Sequence, residues 1–248
     1  GNKSYAQELG FRYVTGDIVV STDGDTVLDP HFIERVLPHF EHDPALGAVA
    51  GYLRSVPYNW LTACRAFEYA IGQHIHKRAQ HHIGLLFVIP GAAGVFRVST
   101  LREQLSFDHD TVTEDLDFTY RLHTLEVPIQ FVTDAVAYTQ DPVTIYSYVN
   151  QMRRWYGGGW QCLLKHQHAV AYHPQLTFLL GMIYLEGMLF AFLFFVLPLI
   201  DIGLFAILLL IYLLILVVLA SIAAVIERRR DLLLVPVTYF AVVLMNTY

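Results

Sequence analysis

Asp17-Ile18-Val19-Val20-Ser21-Thr22-Asp23-Gly24-Asp25 decides how the rest of the chain reads. Ile18, Val19 and Val20 are consecutive and β-branched, the pattern of a short buried strand. Two carboxylates one residue apart follow at once, and Gly24 between them lets the backbone turn sharply. Ligands of an α/β sheet bind beyond the carboxyl ends of its strands. An Asp-x-Asp in that place can hold a hard divalent cation, which can bridge the phosphate oxygens of a nucleotide. A solvated acidic turn is the plainer reading of the same residues; their position behind a buried strand argues for a site.

Working outward, strand and helix signals alternate. Asp29-Pro30 predicts a helix start, with Asp29 as N-cap and Pro30 at the first helical position. Phe32, Ile33, Val36 and Leu37 then fall on one helical face. Leu46 to Gly51 reads as a second strand and Trp60 to Gln80 as a long amphipathic helix. Leu85 to Ile89 and Val95 to Val98 read as strands around Pro90-Gly91-Ala92-Ala93-Gly94. A helix follows from about Thr113 to Leu125, then strands near Ile129 to Val132 and Ala135 to Tyr138. This alternation predicts an α/β sheet of mostly parallel strands with helices on its faces.

Two further groups carry chemistry. Thr113-Glu114-Asp115-Leu116-Asp117 opens the later helix. Thr111 and Glu114 fit a capping box, and acids favour helix N-termini, so capping accounts for Glu114. It does not require Asp115, whose carboxylate could take a proton from an attacking hydroxyl. Gln151-Met152-Arg153-Arg154-Trp155 ends an amphipathic segment that starts at Pro142, and Tyr156, Gly157 to Gly159 and Trp160 follow. An interfacial helix with aromatic and arginine anchors is the bland reading. The functional one assigns phosphate charge to arginine, a flat sugar-stacking face to tryptophan, and a loop folded over a nucleotide to the glycines.

Composition is uneven over the 248 residues. The hydrophobic share is 55% and mean hydropathy is +0.44, which excludes a disordered chain and an ordinary soluble domain. A net charge of −6 argues against a nucleic-acid surface. Cys64 and Cys162 lie too far apart in sequence for a disulfide scaffold, and a reducing compartment fits. Leu176 to Ile200 and Ile202 to Ile226 are apolar runs, each about 37 Å long as a helix, against a hydrocarbon core of about 30 Å. Leu232 onward begins a third. Arg153, Arg154 and Lys165 precede the first run and Arg228 to Arg230 follow the second, which puts both ends in the cytosol and the Asp201 turn outside. Glu186, within the first run, faces either a wet path or a packed interior. His74, His76, His81 and His82 have no clean metal spacing, and His166 and His168 are expected at headgroup level.

The three motifs, in this order and ahead of apolar spans, resemble the processive inverting glycosyltransferases of family 2, the synthases of cellulose, chitin, hyaluronan and poly-N-acetylglucosamine. Gly1-Asn2-Lys3 is similar to that family's donor-site lysine segment, Asp23-Gly24-Asp25 to its DxD, Thr113-Glu114-Asp115 to its TED, and Gln151, Arg154 and Trp155 to its QxxRW. Gly91 to Arg97 lies where the family has an acceptor-side loop, and looks most like the poly-β-1,6-N-acetylglucosamine branch. The resemblance implies a GT-A-like α/β fold followed by transmembrane α-helices. It implies a UDP-sugar donor, GlcNAc by the branch likeness, a growing exopolysaccharide of the biofilm kind as acceptor, and Mg²⁺ or Mn²⁺ on Asp23 and Asp25. It casts Asp115 as base, and Lys3, Asp23, Gln151, Arg154 and Trp155 as donor-binding.

The expected organisation is a transferase domain over 1–141, interfacial helices over 142–172 and membrane helices over 176–200, 202–226 and 232–248. The expected place is the inner (plasma) membrane, multi-pass, with the catalytic domain cytosolic against the lipid bilayer and room for accessory membrane or export subunits. The family's first nucleotide-binding strand would precede Gly1 and further helices would follow Tyr248, so the chain is expected to be a fragment. A transferase acting on a lipid-linked acceptor and a non-catalytic membrane scaffold are the competing functions.

Overall fold

The computed structural model describes residues 3–104 and 110–246; Gly1 and Asn2 of the lysine segment lie outside them. Helix α1 (Lys3–Phe11) leads into strand β1 (Ile18–Ser21), and the Asp-Gly-Asp turn joins it to β2 (Thr26–Leu28). Helix α2 (Phe32–His42) starts later than its sequence suggests. His31 is its N-cap, and Asp29 instead accepts the His31 N–H at 3.0 Å in a turn before the helix. Strand β3 (Ala48–Ser55) precedes α3 (Trp60–Ile71), which Asn59 and Thr62 start with a reciprocal capping box. A π-turn (Gly72–Lys77) and α4 (Arg78–His82) prolong α3 into the expected long rod. Then come β4 (Gly94–Arg97), α5 (Val98–Gln104), α6 (Glu114–Thr124) and β5 (Ile129–Thr139).

The sheet runs β1-β4-β3-β5-β2. Only β3 and β5 pair in parallel; β1–β4, β4–β3 and β5–β2 are antiparallel. The expectation of a mostly parallel sheet is thus wrong for the described strands, because alternation reports that crossovers exist but not which way a strand returns. Leu85 to Ile89 is not a strand either. Its backbone is satisfied by side chains: the Phe87 N–H donates to Gln80 Oε1 and the Ile89 N–H to Thr119 Oγ1, both at 2.9 Å. Burial of Leu86 and Ile89 mimics a strand pattern. The two strands expected after Pro128 are one, interrupted where Gly51 pairs with Val132 and Tyr52 with Val136. One sheet face packs Phe32, Val36 and Phe40 of α2; the other packs Leu122 of α6 with Leu86 and Ile89.

Helix α7 (Ile145–Lys165) runs through the three glycines without a break. A loop was expected there, since each glycine costs about 1 kcal/mol in a helix. The Thr144–Ser147 capping box and burial of Tyr148, Met152 and Cys162 outweigh that cost. Short α8 (Gln167–Tyr172) leads to α9 (Pro174–Ala191), a π-turn and α10 (Leu197–Ile200). Asp201 caps α11 (Ile202–Ile226) by accepting the Leu204 N–H at 2.9 Å. After a 3-10 turn, α12 (Val235–Asn246) packs on α3 and α7.

The stretches Pro174–Ile200 and Ile202–Ile226 are long and apolar enough to cross a membrane, and within each an apolar 18-residue segment is only 6% buried. A helical hairpin inside a soluble core would be largely covered. Ala220 and Ala223 of α11 meet Ala63, Ala66 and Ala70 of α3, small side chains that allow close approach. A polar joint closes the C-terminal end of α11. Glu227, 3% exposed at its side chain, accepts from the Tyr52 hydroxyl at 2.5 Å and from Arg54 Nε at 2.7 Å. Arg229 donates to the Ser55 carbonyl at 2.7 Å. The end of α11 is thereby fastened to β3.

Candidate active site

The carboxyl end of β1 sets the centre. Ser21 Oγ accepts from Gln7 Nε2 at 3.2 Å and donates to the Gly91 carbonyl at 3.1 Å, tying α1, β1 and the Pro90–Gly94 loop together. Lys3 Nζ then lies 2.5 Å from Asp23 Oδ1 and 2.8 Å from Glu114 Oε1. Burial alone would lower the Lys3 pKa, but these two carboxylates raise it above its ordinary value. The Lys3–Glu114 pair was not visible in sequence. It also corrects the capping-box reading: Thr113, not Thr111, is the N-cap of α6, and its side chain makes no cap hydrogen bond. Glu114 therefore sits at the first helical position and turns to the lysine.

Asp115 lies beside this pair. Its Oδ2 accepts the Gly91 N–H at 3.3 Å and its Oδ1 the Leu116 N–H at 2.9 Å. Burial, and next the adjacent Glu114 charge, raise the Asp115 pKa above the ordinary aspartate value, against the opposing pull of the Gly91 N–H and Lys3. A cavity of about 300 Å³ opens here, lined by Ser4, Gln7, Ser21, Glu114, Asp115 and Phe118 among others. Such a carboxyl, half-covered beside a cavity, can exchange a proton with a bound hydroxyl.

Asp25 stands apart from the cluster. It is exposed, and its Oδ1 accepts from Thr26 Oγ1 at 3.4 Å. Among the described residues no three His, Cys, Asp or Glu side chains converge on a metal position. The donor chemistry nonetheless fits a hard cation: Asp23 and Asp25 offer carboxylate oxygens, and Mg²⁺ is commonly held by one or two carboxylates plus substrate phosphates and water. The cation already on Asp23, the Lys3 ammonium, shows that this carboxylate favours positive charge. His74 neighbours Glu227 at 3.5 Å, whereas His81 accepts the Phe131 N–H at 3.3 Å, so the histidines of the long rod serve different partners.

Helix α7 brings the third motif to the same region. A Cβ on Gly158 would meet Thr113 atoms at 2.4 to 2.9 Å, so only glycine lets α7 cross directly over the N-cap of α6. Cys162 Sγ lies 3.5 Å from Thr113 Oγ1, and Gln161 Oε1 accepts the Val112 N–H at 3.2 Å. Gln151, Trp155, Gly158 and Cys162 are spaced by four, three and four, one helical stripe. Gln151 Oε1 is buried with no hydrogen-bond partner among the described residues. Arg154 is exposed and makes no ion pair among them. Gly158 is therefore a packing position, not part of a nucleotide-covering loop.

Trp155 has a support that sequence reasoning missed. The Arg65 guanidinium carbon lies 4.9 Å from the Trp155 ring centre. Arg65 is 4% exposed and is held by Glu68, by Asp141 at 3.6 Å and by the Tyr69 hydroxyl at 3.3 Å. A lone arginine among Leu61, Cys64, Ala66 and Phe67 was the available signal. His166 has a partner that sequence reasoning missed: with Lys165 it binds the buried Asp117 carboxylate, at 2.7 and 2.9 Å.

The family model described as "Glycosyl transferase family group 2" matches residues 18–225. Poly-beta-1,6-N-acetyl-D-glucosamine synthases of Staphylococcus epidermidis and Staphylococcus aureus are each 30% identical over 164 residues, or 66% of this chain. The chain spans 40% of the length of these relatives. A mannosyltransferase from Pyrobaculum calidifontis, solved in complex with GDP-Man and Mn²⁺, shares the fold with a TM-score of 0.51 at 17% identity, covering 100% of this chain and 67% of that one.

Proposed function

This chain belongs to glycosyl transferase family group 2, and from that premise we propose that it is the core of a membrane-bound inverting glycosyltransferase. It transfers a sugar, GlcNAc by likeness to the staphylococcal synthases, from a UDP-sugar to a growing polysaccharide that is exported as it lengthens. One observation carries this reading: Lys3, Asp23, Glu114 and Asp115 meet at Gly91, and the helix bearing Gln151, Arg154 and Trp155 is locked onto the preceding Thr113.

The chain's residues divide the work as follows. Asp23 and Asp25 hold Mg²⁺ or Mn²⁺, which when bound supplies positive charge to the donor diphosphate. Lys3 and Arg154 bring further positive charge to that diphosphate as it leaves. Asp115, its carboxyl held by two backbone N–H groups, receives the proton of the acceptor hydroxyl. The freed oxygen attacks the anomeric carbon from the face opposite the leaving nucleotide, which inverts that centre. Trp155, braced by Arg65, stacks against the acceptor sugar, and the unpartnered Gln151 Oε1 accepts a hydrogen bond from bound substrate.

Two apolar helices with little burial support a membrane location, and the arginines at 153–154 and 228–230 support a cytosolic catalytic side. The test is incubation of the full-length protein in membranes with separately labelled UDP-sugars, followed by product sizing. UDP-GlcNAc incorporation into long polymer is expected, with Asp115→Asn lowering transfer by roughly 10²-fold or more. Undiminished transfer by Asp115→Asn would remove that residue from its role. A single lipid-linked sugar as product would replace the polymer reading.

A further inference from the structure

A second cavity, of about 410 Å³, shares no lining residue with the one beside Asp115. Three arginines reach it from three elements: Arg35 from α2, Arg54 from β3 and Arg78 from α4. His74, Thr133 and the apolar Ile226 complete most of its wall. Ile226 is the last residue of α11, so the cavity opens where that apolar helix leaves the proposed bilayer.

The charges on this wall are unequally spent. Arg54 is balanced by Glu227 at 2.7 Å. Arg35 donates to the Asp134 carbonyl and sits 3.9 Å from Asp29, a loose pairing. Arg78 is exposed and has no ion-pair partner among the described residues. Opposing them, the Asp134 carboxylate accepts from Thr133 Oγ1 at 3.3 Å on the cavity's exposed rim. Guanidinium groups suit phosphate because their forked N–H donors match its oxygens two at a time. Nothing in the sugar-transfer chemistry uses this wall.

We propose that the cavity between Arg35, Arg54 and Arg78 binds the phosphate of an anionic ligand, with a membrane lipid headgroup as its source. The headgroup enters the arginine wall while its acyl chains lie along the exposed apolar side of α11, which Ile226 ends. The lipid source rests on the membrane reading of α9 and α11; the anion site does not.

The experiment measures binding, not sugar transfer, so it fails or succeeds independently of the proposed activity. Purified full-length protein in neutral detergent is titrated with short-chain phosphatidylglycerol, short-chain phosphatidylcholine and inorganic phosphate, by calorimetry. Phosphatidylglycerol should bind and phosphatidylcholine should not. Arg78→Gln and Arg35→Gln should each weaken that binding roughly tenfold, while Arg12→Gln, just after α1 and outside the cavity wall, should leave it unchanged. Sugar transfer in neutral lipid should be the same for Arg78→Gln and wild type. Inorganic phosphate displacing phosphatidylglycerol at comparable affinity would keep the anion site and overturn the lipid source. Equal binding by wild type and Arg78→Gln, or no anion binding at all, would overturn the site itself.

Discussion

At the scale of single residues, the proposed base has a pH signature. Only the ionised Asp115 carboxylate can accept a proton, and its environment favours the neutral form. Transfer should therefore fall as pH drops through a midpoint above the ordinary aspartate value of 3.8. A profile of kcat/KM against pH checks this; an acidic limb at or below the ordinary value would contradict it. Gly91 gives a second residue-scale prediction. A Cβ there would stand 2.7 Å from Lys3 Nζ and 3.7 Å from Asp115. The lysine end is flexible and can yield, so Gly91→Ala should fold normally. It should loosen the Lys3 bridge and raise KM for the donor roughly tenfold. An unchanged KM would mean that the bridge does not position the donor.

At the scale of elements, the crossing of α7 over α6 is the point most sensitive to change. Alanine is the better helix former by about 1 kcal/mol, so propensity alone favours Gly158→Ala. The contact with Thr113 reverses the sign, because a Cβ would approach its Cγ2 and Oγ1 within 2.5 Å. The variant should lose roughly 1–3 kcal/mol of stability, read as a lower unfolding midpoint. Adding Thr113→Ala removes the two nearest atoms and should restore part of the loss. A Gly158→Ala variant as stable as wild type would show that the helices separate freely.

These elements also mark what a sequence can and cannot tell. The strand before Asp23 and the apolar runs were legible because their periods are local, and the helix read from about Thr113 was legible to within a residue although its cap was not. The direction of β4, the extended but unpaired Leu85 to Ile89, and the helical course of Gly157 to Gly159 were not. Each depends on a partner distant in sequence: β1 and β3, Gln80 and Thr119, and Thr113. The same holds at the candidate site. Asp23, Asp115 and Gln151 announce themselves by motif, whereas the Lys3–Glu114 bridge and the Arg65 brace appear only once the chain is folded.

At the scale of the whole molecule, Glu227 connects the apolar helices to the sheet across 175 residues of sequence from Tyr52. Removing it by Glu227→Ala would leave a buried Tyr52 hydroxyl and the Arg54 guanidinium without their carboxylate. The expected cost is roughly 3 kcal/mol, seen as a lower midpoint of thermal unfolding in mild detergent. A midpoint equal to wild type would mean that the joint contributes nothing. The same bonds make the end of α11 and β3 one rigid unit. With α11 in a bilayer as proposed, a tilt of that helix, as in a thinner membrane, would be carried through this unit to the central strands.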